Sequence, residues 1–345
     1  MAKKKALITG ILGQDGAYLA KLLLERGYDV HGAARPSASW NDWRLRELGI
    51  AERVTIEAFD LLDYENIRRL VDRVRPQEVY NFAAQSLVGS SFEQPLYTAD
   101  ADAMGVLRLL EVCRSVNPAI RFYQASSSEM FGGVSAVAFN ESAPFHPRSP
   151  YAVAKVFAHH ATVNYREAYG LHASAGILFN HESPLRGRQF VTRKITSTLA
   201  EIKAGANVTL RLGNLAAKRD WGFAGDFVEA IHQMICAERA DDYVIATGRT
   251  RSVRDFVGAA SAALGFDLDW CGSGIAETAR ERRSGRVIVE IAEEFFRPVE
   301  VETQLGDAGK ARRALHWAPS VEFETLVMMM ARADYDRVMS GRALM

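Results

Sequence analysis

Residues 6–24 read ALITGILGQDGAYLAKLLL. An apolar run, three glycines at Gly10, Gly13 and Gly16, and a long apolar-periodic stretch make a strand, a tight turn and a helix. Glycines spaced this way let backbone amides approach a pyrophosphate, and the helix N-terminus favours its negative charge. A ligand-free strand-to-helix turn is the competing reading. The turn's place, directly after an apolar strand and ahead of a long helix, favours dinucleotide binding.

Working outward, apolar runs predict strands at Lys5–Thr9, Asp29–Gly32, Arg53–Phe59, Glu78–Phe82, Ile120–Gln124 and Ala173–Phe179. Helical periodicity lies between them at Gly16–Glu25, Tyr64–Val74, Ala99–Val116 and Tyr151–Tyr169. This alternation indicates an α/β, Rossmann-type doubly wound parallel sheet with its strand C-termini along one edge. Ligands belong on that edge. The second half is less regular. ESPLRGRQF and GSGIAETARERRSGRV read as charged loops, mixed with helices at Phe223–Ala237, Val253–Leu264 and Val321–Met339. DDYVIATG (Asp241–Gly248) reads as one more strand of the main sheet. The expected division is 1–180, with 215–250 returning to it, as the cofactor-binding domain. A smaller α/β substrate region then comprises 181–214 and 251–345.

The 345 residues are 48% apolar, enough for a substantial core, and 42 basic residues balance 42 acidic ones. A nucleic-acid partner calls for a basic excess that is absent. No apolar run approaches the ~18 residues of a membrane span. Cys113, Cys236 and Cys271 are scattered, so no disulfide framework or metal site is implied, and a reducing cytoplasm fits.

The second strand ends GAARPSAS (residues 32–39), with Arg35 where NAD enzymes place a ribose-binding acid. Arginine suits a 2′-phosphate, favouring NADP; an ordinary surface arginine is the alternative. Asp60 and Leu61, after the third strand, are placed to hold the adenine edge. In SPYAVAK, Ser149 reads as a helix N-cap and Pro150 as its first turn. Tyr151 and Lys155 then share a helical face. A phenol with a pKa near ~10 is a poor base until a neighbouring ammonium stabilises its anion. So assisted, Tyr151 can take an alcohol proton while hydride leaves the carbon. Ser127 and Glu129, after the strand IRFYQ, point to one side if the chain stays extended. Ser127 can hydrogen-bond the reacting alcohol. Glu129 can remove the proton that a temporary ketone acidifies, or it is simply a solvated or N-capping carboxylate. Plain alcohol oxidation has no use for it; oxidation followed by elimination does.

GILGQDG, AAQS, YTAD, QASSSEMFG, PRSPYAVAK, NYREAYGLHA, GILFNHESPLRG, VTRKI, AKRDWG, DDYVIATG and FRPVEVETQLGD occur in this order over nearly the whole chain. The sequence thereby resembles the GDP-mannose 4,6-dehydratases, within the extended short-chain dehydrogenase/reductase group. The resemblance implies C4 oxidation by bound NADP, loss of water across C5–C6 and hydride return to C6, giving GDP-4-keto-6-deoxymannose. Ser127, Glu129, Tyr151 and Lys155 would be catalytic. The glycine loop with Gln14 and Asp15, Arg35, Phe82, Ala83, Ala84, Gln85, Ser86, Tyr97, Lys155, His181 and Arg186 would line the NADP site. Ser86, Asn180, Lys194, Arg219, Arg297 and Glu300 would contact the nucleotide sugar. A homodimer or homotetramer is implied, the long helices pairing across a two-fold axis. Three positions depart from the family pattern: Ser127 stands for threonine, Pro36 for the second of two arginines, and Leu87 for histidine. A dehydratase or 4-epimerase of another GDP-sugar, such as a heptose, is the alternative enzyme. A net reductase and an NADP-binding scaffold are the others.

Overall fold

The structure, a computed structural model, describes residues 3–37, 40–132, 138–296, 303–342 and 344. Its centre is a seven-stranded sheet. Strands β1 (Lys5–Thr9), β2 (Asp29–Ala34), β3 (Thr55–Ala58), β4 (Glu78–Asn81), β5 (Arg121–Ser127) and β6 (His172–Leu178) are joined by the strand Asp242–Ile245. Spatial order is β3-β2-β1-β4-β5-β6 and then Asp242–Ile245, every pairing parallel. DDYVIATG therefore does return to the main sheet as its edge.

In β1, β4 and β5 adjacent residues serve opposite layers, as the two-residue period demands. Ile8, Tyr80, Tyr123 and Ile177 pack with helix α1 (Gln14–Glu25) and the Ala224–Cys236 helix. Leu7, Val79, Phe122 and Ala173 pack with the Tyr64–Val74, Gly105–Val116 and Pro150–Tyr169 helices. With both faces covered, the inner strands carry consecutive buried apolar residues such as Leu7–Ile8, Val79–Tyr80 and Phe122–Tyr123, which makes them legible. The chain leaves β1 towards β2 and β3 and reverses to β4, opening a crevice at the carboxyl ends of β1 and β4.

A second core lies apart from the sheet. Ile195, Leu199, Phe256, Val289, Leu326 and Met330 form it, from the Val191–Lys203, Val253–Ala263 and Phe323–Met339 helices and a four-stranded mixed sheet. The segment read as the loop GSGIAETARERRSGRV in fact builds most of a hairpin. Thr278–Glu281 pairs antiparallel with Val287–Ile291, with a register shift between Ala279 and Arg280. Alternation is present there, with Ala279 and Glu281 inward and Arg280 outward, but a strand of four charged or small residues is too short to stand out.

The Ala99–Val116 helix also differs from expectation. A π-helical turn occupies Asp100–Met104, between a short helix at Pro95–Ala99 and the α-helix Gly105–Val116. Such turns occur frequently at functional sites.

Candidate active site

Gly10 has φ +68°, and a Cβ there would lie 2.9 Å from the amide nitrogen of Ala83. A Cβ on Gly16 would lie 2.5 Å from the Gly10 carbonyl oxygen. Gly13 is the extended N-cap of α1 and has no side chain to cap it. The turn therefore keeps a bare backbone cradle against a helix N-terminus, and its residues fit a dinucleotide pyrophosphate. Below it, the Thr9 hydroxyl accepts hydrogen bonds from the amides of Phe82 (3.2 Å) and Ala83 (3.1 Å). The Phe82–Ser86 segment is thus tied to the end of β1.

His181 and Asp15 close the other side, with Nε2 3.0 Å from Oδ2. Burial pushes the Asp15 carboxyl up, but His181 and the Gln14 amide outweigh it and hold it at about 2. Burial pulls His181 down, and the Asp15 charge more than reverses that. The ring stacks on Phe227 at 4.7 Å. Arg186 pairs with Glu182 at 3.1 Å and covers the Phe190 ring. At the far end, Arg35 follows β2 directly and donates to the Tyr97 hydroxyl at 2.8 Å. Asp60 caps its own turn by accepting from the Leu62 amide, and Leu61 is buried.

The Pro150–Tyr169 helix starts as its sequence dictates: Ser149 accepts from the Ala152 amide at 3.1 Å and Pro150 occupies the first turn. Tyr151 is 9% exposed and Lys155 4%. The Lys155 ammonium donates to the Ala125 carbonyl at 3.0 Å and lies 5.6 Å from the Tyr151 ring centre. Burial pushes the Tyr151 phenol well above its usual value and the charges of Asp102 and Glu129 add to this; a Ser127 hydrogen bond and Arg186 oppose them. Burial pulls Lys155 down, and Asp102 resists.

Ser127 and Glu129 come together by a different route from the one expected. The chain does not stay extended: β5 ends at Ser127 and a 3-10 turn covers Ser128–Phe131. The Ser127 oxygen caps that turn, accepting from the Glu129 amide at 3.2 Å. One hydroxyl therefore touches the phenol and the backbone of the carboxylate residue. Gln304 straps the turn to the neighbouring strand, bonding Ser128 through its side chain (3.4 Å) and the Lys218 carbonyl through its amide (3.2 Å).

That neighbouring strand, Lys218–Arg219, is held by Asp220. Its buried carboxylate accepts from the Thr247 amide and hydroxyl and from the amides of Gly248 and Gly306. Asn180 pairs in register with Trp221, and its buried side-chain oxygen has no partner. Lys194 lies apart from this strap, over the Phe295 ring at 3.2 Å. Arg297 and Glu300 lie outside the described residues, and Ser86 is exposed. Two groups with a part in this geometry were not singled out from sequence: Asp220, inside AKRDWG, and Asp102. The latter carried a signal, an acid on the same helical stripe as Val106 and Leu109.

A parallel sheet with a glycine cradle at its switch point, and a Tyr–Lys pair on the helix after β5, define an extended short-chain dehydrogenase/reductase. Solved structures agree on the fold. A dTDP-glucose 4,6-dehydratase from Streptomyces venezuelae superposes with a TM-score of 0.82 at 22% identity, over 99% of this chain and 100% of that one. A Thermus thermophilus UDP-glucose 4-epimerase gives 0.77 at 23% identity, over 96% and 98%. The chain belongs to the GDP-mannose 4,6-dehydratase family, whose model matches residues 7–330. A GDP-mannose 4,6-dehydratase of Sinorhizobium fredii is 49% identical over 96% of this chain and 97% of its own length. Another, from Arabidopsis thaliana, is 49% identical over 97% and 90%.

Proposed function

We propose that the protein is an NADP-dependent GDP-mannose 4,6-dehydratase that ends each cycle with its cofactor in the starting redox state. The observation that supports this is the Ser127-capped turn, which brings Glu129 near enough for its charge to bear on Tyr151. Tyr151 takes the proton of the C4 hydroxyl, the Lys155 ammonium stabilising the phenolate and Ser127 donating to the reacting oxygen. Bound NADP would supply the acceptor for the C4 hydride and its donor at C6. The C4 ketone makes the neighbouring C5 proton acidic. Glu129 removes it, and the C6 hydroxyl leaves as water once protonated. A proton returns to C5 after C6 has been reduced, so the net change is loss of one water.

Gly10, Gly13, Gln14, Asp15 and Gly16, the Phe82–Ser86 segment, Asp60, Leu61, Tyr97, Lys155, His181 and Arg186 would hold the cofactor. Arg35 speaks for NADP over NAD: it follows β2 where an acid would otherwise receive the ribose. Arg35→Ser is expected to weaken NADP binding about 10- to 100-fold, the worth of one charge-assisted contact, and leave NAD binding unchanged. Titration calorimetry with both nucleotides reads this. Asn180, Lys194 and Arg219, with Arg297 and Glu300, would receive the nucleotide sugar. The orphan oxygen of Asn180 is a polar group still in need of a donor.

Residues 1–180 with 215–250 would be the cofactor part, and 181–214 with 251–345 the sugar part. Large apolar side chains stay exposed at Phe92, Leu96 and Met104 and, one helical turn apart, at Val153 and Phe157. A surface of this kind suits self-association, at least to a homodimer. Free cysteines at Cys113, Cys236 and Cys271 fit the cytoplasm. Among the described residues, no helix is long and apolar enough to cross a membrane.

The deciding experiment is incubation with a panel of GDP- and other nucleotide sugars, without added cofactor, followed by mass analysis. Loss of one water from GDP-mannose is expected. Water loss from a GDP-heptose alone, or isomerisation without water loss, would replace this reading.

A further inference from the structure

The π-turn at Asp100–Met104 carries a fully buried carboxylate that the reaction as described does not use. One oxygen of Asp102 accepts from the Gln85 amide at 2.6 Å. The other is buried with no hydrogen-bond partner. A buried anionic oxygen without a donor is unfavourable, and such groups call for a reason. The reason lies on the facing helix, where Lys155 and Tyr151 both feel its charge.

We propose that Asp102 is a positioning residue for the hydride-transfer pair, one oxygen anchoring the Gln85 segment and the other presenting a fixed negative charge to the Lys155 ammonium beside Tyr151. The inference rests on the dehydratase reading and deepens it. Gln85 belongs to the stretch proposed as a wall of the cofactor site, so one carboxylate sets the spacing between that wall and the lysine. Lys155 needs such a counter-charge, because burial favours its neutral form and only the ammonium can stabilise the phenolate. The turn itself explains how the acid gets there. A helix with an α pitch would carry residue 102 a different way around the axis, whereas the wider turn inserts it towards the Pro150–Tyr169 helix.

The charges around the pair are few. Lys155 and Tyr151 face Asp102 from the Pro150–Tyr169 helix. Glu129 and Arg186 act on Tyr151 from the catalytic turn and the segment after β6. Tyr97, on the preceding turn, is engaged by Arg35, and Asp100 on the same turn is held by Arg108 at 2.8 Å. Asp102 is therefore the acid that bears on Lys155.

Burial lifts the Asp102 carboxyl to about 6, against the pull of Lys155 and the Gln85 amide. An acid whose folded pKa lies above its unfolded value opposes folding once the pH passes the unfolded value. Losing this charge should therefore not reduce stability at neutral pH, and a purely structural carboxylate would behave the other way.

Asp102→Asn, in the full chain, keeps an oxygen for the Gln85 amide and removes the charge. The expected result is about a tenfold fall in kcat, with KM for the nucleotide sugar unchanged. Tm should be equal or higher. The alkaline limb of the kcat–pH profile should move to lower pH, since Lys155 loses its proton sooner. Asp102→Ser, neutral and shorter, is expected to move the limb the same way, and stands in if the asparagine variant does not fold. An unmoved alkaline limb in a folded variant, or a fall in Tm that accounts for the activity lost, would overturn the proposal. Should the wild-type protein itself leave every nucleotide sugar intact, the functional reading fails instead, and the two failures are distinct.

Discussion

Glu129→Gln is expected to oxidise its sugar and then stop. The amide matches the carboxylate in shape and cannot accept the C5 proton, so the ketone persists and the hydride has no C6 acceptor. Turnover should fall by about 10²- to 10⁴-fold, the range of a positioned general base. The absorbance of reduced nicotinamide should rise on mixing with GDP-mannose and stay high, close to one equivalent per site. In heavy water the wild-type product should carry solvent deuterium at C5, and the variant should show no exchange there. Tyr151→Phe separates the steps, because it keeps the ring and loses the proton acceptor. It should bind the sugar and give no absorbance change. Normal turnover by Glu129→Gln would remove the carboxylate from the reaction and leave an epimerase-like redox site. That outcome would also take away the reason for the turn capped by Ser127.

The features of the site that were legible in the sequence are local ones. The Gly10–Gly16 turn, the Ser149 cap and the four-residue spacing of Tyr151 and Lys155 are each set by neighbours within a few residues, and they formed as read. Strands β1 and β4–β6 were legible through the buried apolar residues that serve both faces, such as Leu7–Ile8, Val79–Tyr80 and Phe122–Tyr123. The misses are tertiary. Ser127 and Glu129 were placed by strand alternation, yet the hydroxyl of Ser127 ends the strand and starts a 3-10 turn. Whether a serine continues a strand or caps a turn depends on what packs behind it, here Gln304 from the far end of the chain. The π-turn was not legible because one added residue leaves the helical pattern of Ala99–Val116 readable, and Asp102 is marked by its burial near Lys155 in the structure alone. Arg193 and Asp334 are 141 residues apart, and each looks like an ordinary member of an amphipathic helix.

Asp334→Ala should be strongly destabilising. The carboxylate is fully buried and accepts from the Arg193 Nε at 2.7 Å, the Thr196 hydroxyl at 2.7 Å and Arg337 at 3.0 Å. Arg193 is fully buried as well, with Nη1 donating to the carbonyls of Pro184 (3.0 Å) and Arg186 (2.6 Å). Arg44 completes the group, donating to the carbonyls of Leu12 in the glycine turn and Leu185. The Trp43 ring is faced by Arg44, Arg193 and Arg337. Removing the acid leaves Arg193 buried without its counter-ion, which destabilises by about 3–5 kcal/mol. For a chain of this size Tm should drop by roughly 4–7 °C. Thermal denaturation followed by circular dichroism reads it.

The same cluster separates two roles that a single substitution confounds. A buried ion pair replaced whole by apolar groups of similar volume is often neutral in stability. Arg193→Met with Asp334→Leu should therefore recover part of the lost Tm, since the Thr196 hydroxyl and Arg337 still lose their acceptor. It should lower cofactor affinity. The carbonyls of Pro184 and Arg186 would lose the guanidinium that pins them, and Arg186 and His181 lie on that segment beside Asp15. About a tenfold weaker NADP affinity is expected in the double variant, the worth of the two hydrogen bonds withdrawn from the Arg186 segment. Recovery of Tm with affinity intact would mean that the cluster only neutralises itself. Recovery of Tm with affinity lost means that Arg193 holds the cofactor wall in place while Asp334 exists to make a buried arginine tolerable.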